Sequence, residues 1–116
     1  MNGKTILAID DDEDLLVLLH EYLEGEACHL LTTKDPTEFE SILDGQKIDL
    51  IIIDLVMPGV SGVELINRVK SKVGGVPVIA LSAKSNLEKG HVADYYLEKP
   101  FDNIALIKLM KFLLCP

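Results

Sequence analysis

Five polar residues come after short apolar runs, at positions where the strands of a sheet would end. Asp10 and Asp11 follow the first apolar run, and Asp54 follows the third. Ser82 follows the fourth run, and Lys99 comes just after the fifth. If the runs are parallel strands, their carboxyl ends share one edge of the sheet, where such sheets bind their ligands. We therefore expect the carboxylates, the hydroxyl and the ammonium group to converge there.

A cluster of acids of this kind favours a bound cation or a bound proton. Without compensation the carboxylates repel one another, which raises the pKa of at least one of them. Oxygen-only ligands favour a hard ion, and a site with few protein ligands suits Mg²⁺, which keeps water ligands and takes up phosphate oxygens. A carboxylate beside Mg²⁺, a lysine and a hydroxyl can accept a phosphoryl group, with the carboxylate as nucleophile.

The elements that must position these side chains are short β-rich apolar runs that alternate with helical segments. The predicted strands are Thr5–Ile9, Cys28–Thr32, Asp49–Ile53, Pro77–Leu81 and Asp94–Leu97. The predicted helices are Asp14–Glu24, Thr37–Leu43, a helix opened by the cap Ser61 that runs to about Lys72, and Asn103–Leu114, with Asp35 and Asp102 as further capping residues. This alternation predicts an α/β fold, a doubly wound five-stranded parallel sheet flanked by helices.

Composition and charge limit the classes of function. The chain has 116 residues, which we expect to form one domain over 1–116, and 48% of them are hydrophobic and 26% charged. Its net charge of -8 would repel a phosphate backbone, so we expect no direct binding of nucleic acid. The longest apolar stretch, Ile48–Met57, contains two aspartates and is too short for a membrane span, which needs roughly 20 residues. With no signal peptide and with Cys28 and Cys115 unpatterned, we expect a cytoplasmic protein with free thiols.

Four motifs stand at the predicted strand ends, in a specific order along the chain. They are Ile-Leu-Ala-Ile-Asp-Asp-Asp at 6–12, Asp-Leu-Val-Met-Pro-Gly-Val-Ser-Gly at 54–62, Leu-Ser-Ala at 81–83 and Tyr-Leu-Glu-Lys-Pro-Phe at 96–101. Together they resemble the receiver domain of two-component response regulators. The resemblance covers essentially the whole chain, and it implies the flavodoxin-like receiver fold and a signalling role rather than an enzyme.

The resemblance also implies a role for each site residue. Asp54 would be the phosphoacceptor, charged by a phosphohistidine on a histidine kinase or phosphotransfer protein. Asp10 and Asp11 would hold Mg²⁺, together with Asp54 and the backbone carbonyl of Val56. Lys99 would contact the phosphoryl group.

Two further expectations come from the same resemblance. Ser82 and Tyr96 resemble the switch pair that moves when phosphate arrives. The peptide bond between Lys99 and Pro100 is expected to be cis.

Other interpretations of the same residues stay open. Asp10 and Asp11 could be helix-capping acids, Ser82 a plain turn residue, and Tyr96 a static aromatic of an edge strand. The receiver fold could also serve as an interaction module without phosphorylation. A small enzyme of the aspartyl-phosphatase type would use Asp10 and Asp12, and a calcium loop would use the same pair with Asp14 and Glu21. The phosphatase leaves Asp54 unexplained, and the loop lacks the glycine that its sharp turn requires.

The chain departs from the family pattern in one segment. Ala83–Glu98 is several residues shorter than usual, although it must hold both the fourth helix and the fifth strand, so we expect a shortened fourth-helix region. The last helix, 103–114, has nine apolar residues, more than one core-facing stripe requires. Part of its apolar surface should therefore face outwards, and we expect a homodimer or a downstream protein to bind there.

Overall fold

The computed structural model describes residues 2–57, 59–83 and 93–114. Its strands are β1 (Thr5–Ile9), β2 (His29–Thr33), β3 (Leu50–Asp54), β4 (Val56–Met57), β5 (Val60–Ser61), β6 (Val78–Ala83) and β7 (Tyr95–Lys99). Its helices are α1 (Glu13–Leu23), α2 (Phe39–Gly45), α3 (Gly62–Lys72) and α4 (Asn103–Leu114), with a 3-10 turn at Pro36–Glu38.

Five of the strands form one parallel sheet in the order β2-β1-β3-β6-β7. The order reverses between β1 and β3, and β3 is buried over its whole length because helices cover both faces of the sheet. The crevice at such a reversal is where open α/β sheets bind ligands. The predicted five-stranded parallel sheet is confirmed, and acidic residues stand at the carboxyl ends of the two strands that flank this crevice, β1 and β3.

Two hydrophobic clusters fill the space between the sheet and the helices. One face of the sheet packs against α1 and α4, through a cluster that includes Leu19 and Leu106. The opposite face packs against α2 and α3, through a cluster that includes Phe39 and Ile66. Helices on both faces make the sheet doubly wound, as predicted.

Side-chain caps fix where three of the helices begin. The Asp12 carboxylate accepts the backbone N–H groups of Asp14 and Leu15, so α1 starts at Glu13. Ser61 Oγ accepts the Glu64 N–H at 3.3 Å, and Asp102 Oδ1 accepts the Ala105 N–H at 2.7 Å. The predicted caps Ser61 and Asp102 are confirmed.

The region after Asp35 differs from the prediction. The Glu38 N–H donates to the Asp35 carbonyl oxygen at 3.0 Å, which is the tighter bonding pattern of a 3-10 turn. The Asp35 side chain caps this turn, because its Oδ1 atom accepts the Thr37 N–H at 2.9 Å. The helix α2 begins only at Phe39. The antiparallel pair of β4 and β5 was also not predicted, because two-residue strands carry no usable periodicity.

Three further features bear on the expectations above. The peptide bond between Lys99 and Pro100 is cis, as expected. The segment 84–92, which holds most of the expected shortened fourth-helix region, and Cys115 lie outside the described residues. In the part of the chain that the structure covers, no helix is both long and apolar enough to cross a bilayer.

Candidate functional site

The acidic residues at the ends of β1 and β3 lie side by side because these strands are neighbours in the sheet. Asp10 directly follows β1 and is 1% exposed, and Asp54 is the last residue of β3 and is 4% exposed. Asp11, the next residue after Asp10, is exposed. One carboxylate oxygen from each of the three lies within 4.8 Å of the others. The structure thus brings together the three acids that the sequence singled out.

Lys99, the last residue of β7, extends its side chain to the two buried acids. Its Nζ atom lies 3.4 Å from Asp10 Oδ2 and 3.3 Å from Asp54 Oδ2. One ammonium group therefore faces two buried carboxylates, with a third carboxylate on Asp11 nearby. When all four groups are ionised, the site has a net charge of about -2, which a divalent cation would balance.

Asp10 is held by its neighbours, and burial perturbs its ionisation. Its Oδ1 atom accepts the Asp12 N–H at 2.9 Å, and its own N–H donates to the Thr33 carbonyl oxygen at 3.1 Å. Burial raises the pKa of Asp10 to about 7, and the negative charge of Asp54 adds to that rise. The Asp12 N–H and the Lys99 ammonium favour the charged form and oppose the rise.

The donor set fits a small hard cation. Among the described residues, Asp10, Asp11 and Asp54 form a group of three metal-ligating side chains, and all of their donor atoms are carboxylate oxygens. Such ligands suit Mg²⁺ or Ca²⁺ rather than a soft metal. Three carboxylates leave room for water and phosphate oxygens, which suits Mg²⁺. Val56, whose carbonyl the sequence analysis added to this set, lies in β4 two residues after Asp54.

The position of Asp12 weakens the alternative interpretations of the first acidic cluster. Asp12, not Asp10 or Asp11, is the N-cap of α1, so helix capping does not account for the pair. Because Asp12 Oδ1 bonds the Asp14 N–H and Asp14 already lies within α1, these residues do not form a calcium loop. Asp12 bonds Asp10 through its backbone N–H while its carboxylate caps α1, which is not the pairing of carboxylates that a phosphatase would use.

Ser82 lies beside the acidic cluster. It is completely buried in β6, one residue beyond Leu81, which pairs with Asp54 in the β3–β6 register. In the opposite direction across the sheet, Ser82 pairs with Glu98 of β7. Its position within a strand contradicts the alternative of a plain turn residue.

Tyr96 lies in β7 with its side chain half-buried against the α2–α3 face of the sheet. Its hydroxyl oxygen accepts the Ala93 N–H at 3.3 Å. Tyr95, the preceding residue, packs on the opposite face, where its ring meets Phe112 of α4 edge to face with centroids 6.1 Å apart. Adjacent tyrosines of one edge strand therefore contact different helical layers.

The outer surface of α4 is partly apolar, as the sequence predicted. Ile104 is 63% exposed and Phe112 is 67% exposed, whereas Leu106 and Met110 are fully buried. The excess of apolar residues in this helix is thus divided between the core and the surface. The alternative, in which all of these side chains are buried, is wrong.

Some features of the site were missed by the sequence analysis. A cavity of about 310 Å³ opens beside Lys99 and is lined largely by apolar side chains, among them Leu15, Leu18 and Phe101. Gly62, the first residue of α3, lies against the backbone of Leu55, directly after Asp54. A glycine at the start of a helix, where its propensity is poor, was the signal that could have marked this contact.

Comparison with known proteins identifies a family. A family model described as the response regulator receiver domain matches residues 6–111. The chain is 33% identical over 123 residues to the phosphate regulon transcriptional regulatory protein PhoB of Pseudomonas aeruginosa, covering 98% of this chain and 53% of that protein. It is 34% identical over 116 residues to the transcriptional regulatory protein CpxR of Escherichia coli, covering 94% of this chain and 48% of that protein. The chain thus spans about half the length of these relatives.

Solved structures give the same fold. The response regulator TrrA of Thermotoga maritima, crystallised in complex with Mg²⁺-BeF, superposes with a TM-score of 0.85 at 32% identity, covering 96% of this chain and 99% of that one. The chemotaxis protein CheY4 of Vibrio cholerae superposes with a TM-score of 0.87 at 24% identity, covering 97% and 99%. The second likeness concerns the fold alone. Both support the predicted flavodoxin-like arrangement.

Proposed function

The chain belongs to the family of response regulator receiver domains, and on that premise we propose that Asp54 accepts a phosphoryl group. Receiver domains are signalling domains and generally not enzymes, so the phosphorylated chain would act by changing its contacts with other proteins. The observation that carries the proposal is the position of Asp54, buried at the end of β3 with Asp10 beside it and Lys99 at 3.3 Å.

The chemistry follows from this arrangement. A carboxylate oxygen of Asp54 attacks the phosphorus atom of a phosphohistidine on a histidine kinase or phosphotransfer protein. The P–N bond breaks, the histidine nitrogen keeps the electron pair, and an acyl phosphate forms on Asp54. The ammonium of Lys99 neutralises negative charge on the transferred group, which is the main contribution that a protein makes to phosphoryl transfer.

Asp10, Asp11 and Asp54 would hold a Mg²⁺ ion together with the backbone carbonyl of Val56. When bound, Mg²⁺ neutralises phosphoryl oxygens and the repulsion among the acids. The three carboxylate oxygens within 4.8 Å of one another support this ligand set. The buried Asp10 carboxylate is fixed for this task by the Asp12 N–H.

Ser82 and Tyr96 are our candidates for the pair that responds to phosphate. Ser82 is buried next to the end of β3, where its hydroxyl is suited to bond a phosphoryl oxygen. Tyr96 lies on β7, which pairs with the strand that carries Ser82. Movement of Ser82 towards phosphate would therefore be passed to Tyr96 through adjacent strands.

The exposed apolar surface of α4 supports a second proposal, which concerns a partner. We propose that a second copy of the chain binds through Ile104 and Phe112, because three of the four large apolar side chains exposed in the described part of the chain lie on α4 or, like Tyr95, against it. A downstream protein that binds the same residues is the other occupant to be tested. We further propose that the domain spans 1–116 and works in the cytoplasm, without contacts to nucleic acid or membrane.

Mass spectrometry of the intact chain tests the phosphoacceptor proposal. After incubation with acetyl phosphate and Mg²⁺, we expect the wild-type chain to gain the mass of one phosphoryl group and Asp54→Asn to gain none. Asp44→Asn, a control at an exposed acid that pairs with Lys72 at 3.0 Å, should be labelled like the wild type. Undiminished labelling of Asp54→Asn, or labelling that EDTA does not affect, contradicts the proposal and favours an interaction module that works without phosphate.

A further inference from the structure

A close backbone contact links the start of α3 to the residue that follows the proposed phosphoacceptor. Gly62 is the first residue of α3 and is buried. A Cβ atom at this position would lie 2.5 Å from the carbonyl oxygen of Leu55, 2.7 Å from its Cα and 2.9 Å from its carbonyl carbon. All three atoms belong to the backbone, so no side-chain rotation can relieve the overlap. The residue must therefore be glycine for α3 to start where it does.

The Leu55 backbone has little freedom to move away from Gly62. Its N–H donates to the Leu81 carbonyl oxygen at 2.9 Å, which continues the β3–β6 ladder past Asp54. On the other side, Val56 pairs with Ser61 in the β4–β5 hairpin. The backbone from Asp54 to Val56 is thus held by β6 on one side, and by Ser61 of the hairpin and the start of α3 on the other.

We propose that Gly62 is a positioning residue of the phosphoacceptor site, because its missing Cβ lets the start of α3 fix the Leu55 backbone between Asp54 and Val56. This inference rests on the proposed function, since Asp54 and Val56 are the groups that would hold Mg²⁺. A side chain at Gly62 must displace either the start of α3 or the Leu55 peptide group. The second displacement moves the Val56 carbonyl directly, and it tilts the Asp54 carboxylate.

The variant Gly62→Ala tests the proposal, because helix propensity predicts a more stable α3, whereas the overlap with Leu55 predicts weaker Mg²⁺ binding. Alanine is a better helix former than glycine by about 1 kcal/mol, so propensity alone would stabilise α3. The overlap with Leu55 should instead raise the Mg²⁺ concentration at half-saturation by about 10-fold to 100-fold, the loss of metal affinity typical of mutating residues that orient the ligands. Half-saturation is measured at 25 °C by the Mg²⁺-dependent shifts of amide resonances, in samples that circular dichroism shows to be folded.

Two glycine variants are matched controls. Gly75→Ala places the same methyl group where no atom lies within 4 Å, so its Mg²⁺ affinity should equal that of the wild type. Gly59→Ala lies in the same segment and also meets no atom within 4 Å, but its φ of 74° strains any side chain. Loss of affinity in Gly59→Ala together with normal affinity in Gly62→Ala would assign the effect to backbone strain and overturn the proposal.

The wild-type protein separates failure of this proposal from failure of the proposed function. If wild-type chain binds no Mg²⁺ and takes no phosphoryl group, the proposed function fails. If it does both and Gly62→Ala binds Mg²⁺ equally well, only the positioning role fails. Should Gly62→Ala not fold on its own, the titration is repeated for both chains in a concentration of trimethylamine N-oxide that restores its fold. Equal Mg²⁺ affinity of the two folded chains overturns the proposal, and a loss of affinity confined to Gly62→Ala supports it.

Discussion

Lys99 Nζ lies 3.3 Å from Asp54 Oδ2, although the two residues end strands that are separated in the sheet by β6. The side chain of Lys99 crosses this strand and reaches Asp10 as well, at 3.4 Å. One positive charge is therefore shared by two buried carboxylates. This arrangement has consequences for Mg²⁺ binding, for the pH dependence of stability and for the rate of phosphorylation.

Replacing Lys99 by Met should change Mg²⁺ binding and phosphorylation in opposite directions. Removal of the ammonium lowers the positive charge beside the acids, so Mg²⁺ should bind several-fold more tightly. Labelling by acetyl phosphate at saturating Mg²⁺ should fall by about 100-fold or more, because a charge that stabilises the transferring group is lost. Lys108→Met, at an exposed lysine of α4, is the control for removal of one positive charge. Equal losses in Mg²⁺ affinity and labelling would indicate general damage to the site.

Mg²⁺ should raise the melting temperature of the chain. At 100 times its dissociation constant, an ion that binds only the folded state adds about 2.7 kcal/mol to the free energy of unfolding. Asp10→Asn should reduce this stabilisation, and NaCl at the same ionic strength should not reproduce it. The measurement is thermal unfolding by circular dichroism with and without Mg²⁺, and a melting temperature that ignores millimolar Mg²⁺ contradicts the proposed ligand set.

In EDTA, the free energy of unfolding should decrease as pH rises from about 4 to about 7. Burial raises the pKa of Asp10 from 3.8 to about 7, so in this window the folded chain keeps a proton that the unfolded chain has lost. Because the folded state binds more protons there, stability falls as pH rises. Each pKa unit corresponds to about 1.4 kcal/mol, so the loss is a few kcal/mol at most.

Urea unfolding at several pH values measures this decrease. Asp10→Asn, which has no proton to lose, should show a smaller pH dependence than the wild type. Saturating Mg²⁺ should also flatten the profile, because it favours the ionised carboxylates. If Asp10→Asn and the wild type in EDTA have the same pH profile, a titratable group other than Asp10 causes the decrease in stability.

Phe112→Glu should abolish self-association through α4 and leave the fold intact. Phe112 is 67% exposed, so the new charge disrupts a contact surface at little cost to the core. Val17→Glu, at an exposed apolar residue of α1, is the matched control and should associate like the wild type.

Sedimentation velocity measures the association of both phosphorylation states. A wild-type chain that stays monomeric at high micromolar concentration in both states rules out the dimer, and binding of another protein through the same residues would assign the surface to a downstream partner.

The sequence predicted the candidate site best where an acidic residue stands at the end of a predicted strand. Asp10 and Asp54 could be placed at one sheet edge because each follows a continuous apolar run, and the topology brings such ends together. The rise in the pKa of one acid was also expected from their repulsion. That Asp10 shows this rise depends on its burial, a tertiary property, which outweighs the opposing charge of Lys99. The glycine at the start of α3 could mark a close contact, but it could not identify Leu55 as the partner, because a hairpin with strands of only two residues brings the two backbone segments together.

Tyr95 and Tyr96 give the molecule two optical reporters on opposite sides of one strand. The chain contains three tyrosines and no tryptophan, so tyrosine emission is not lost by energy transfer to an indole. Successive residues of β7 point to opposite faces of the sheet, which puts one phenol ring against Phe112 and the other near Ala93. A rearrangement of this strand changes the surroundings of both rings at once. In a Tyr22→Phe variant, which removes the third tyrosine from α1, near-ultraviolet circular dichroism and tyrosine fluorescence can therefore follow β7 during phosphorylation.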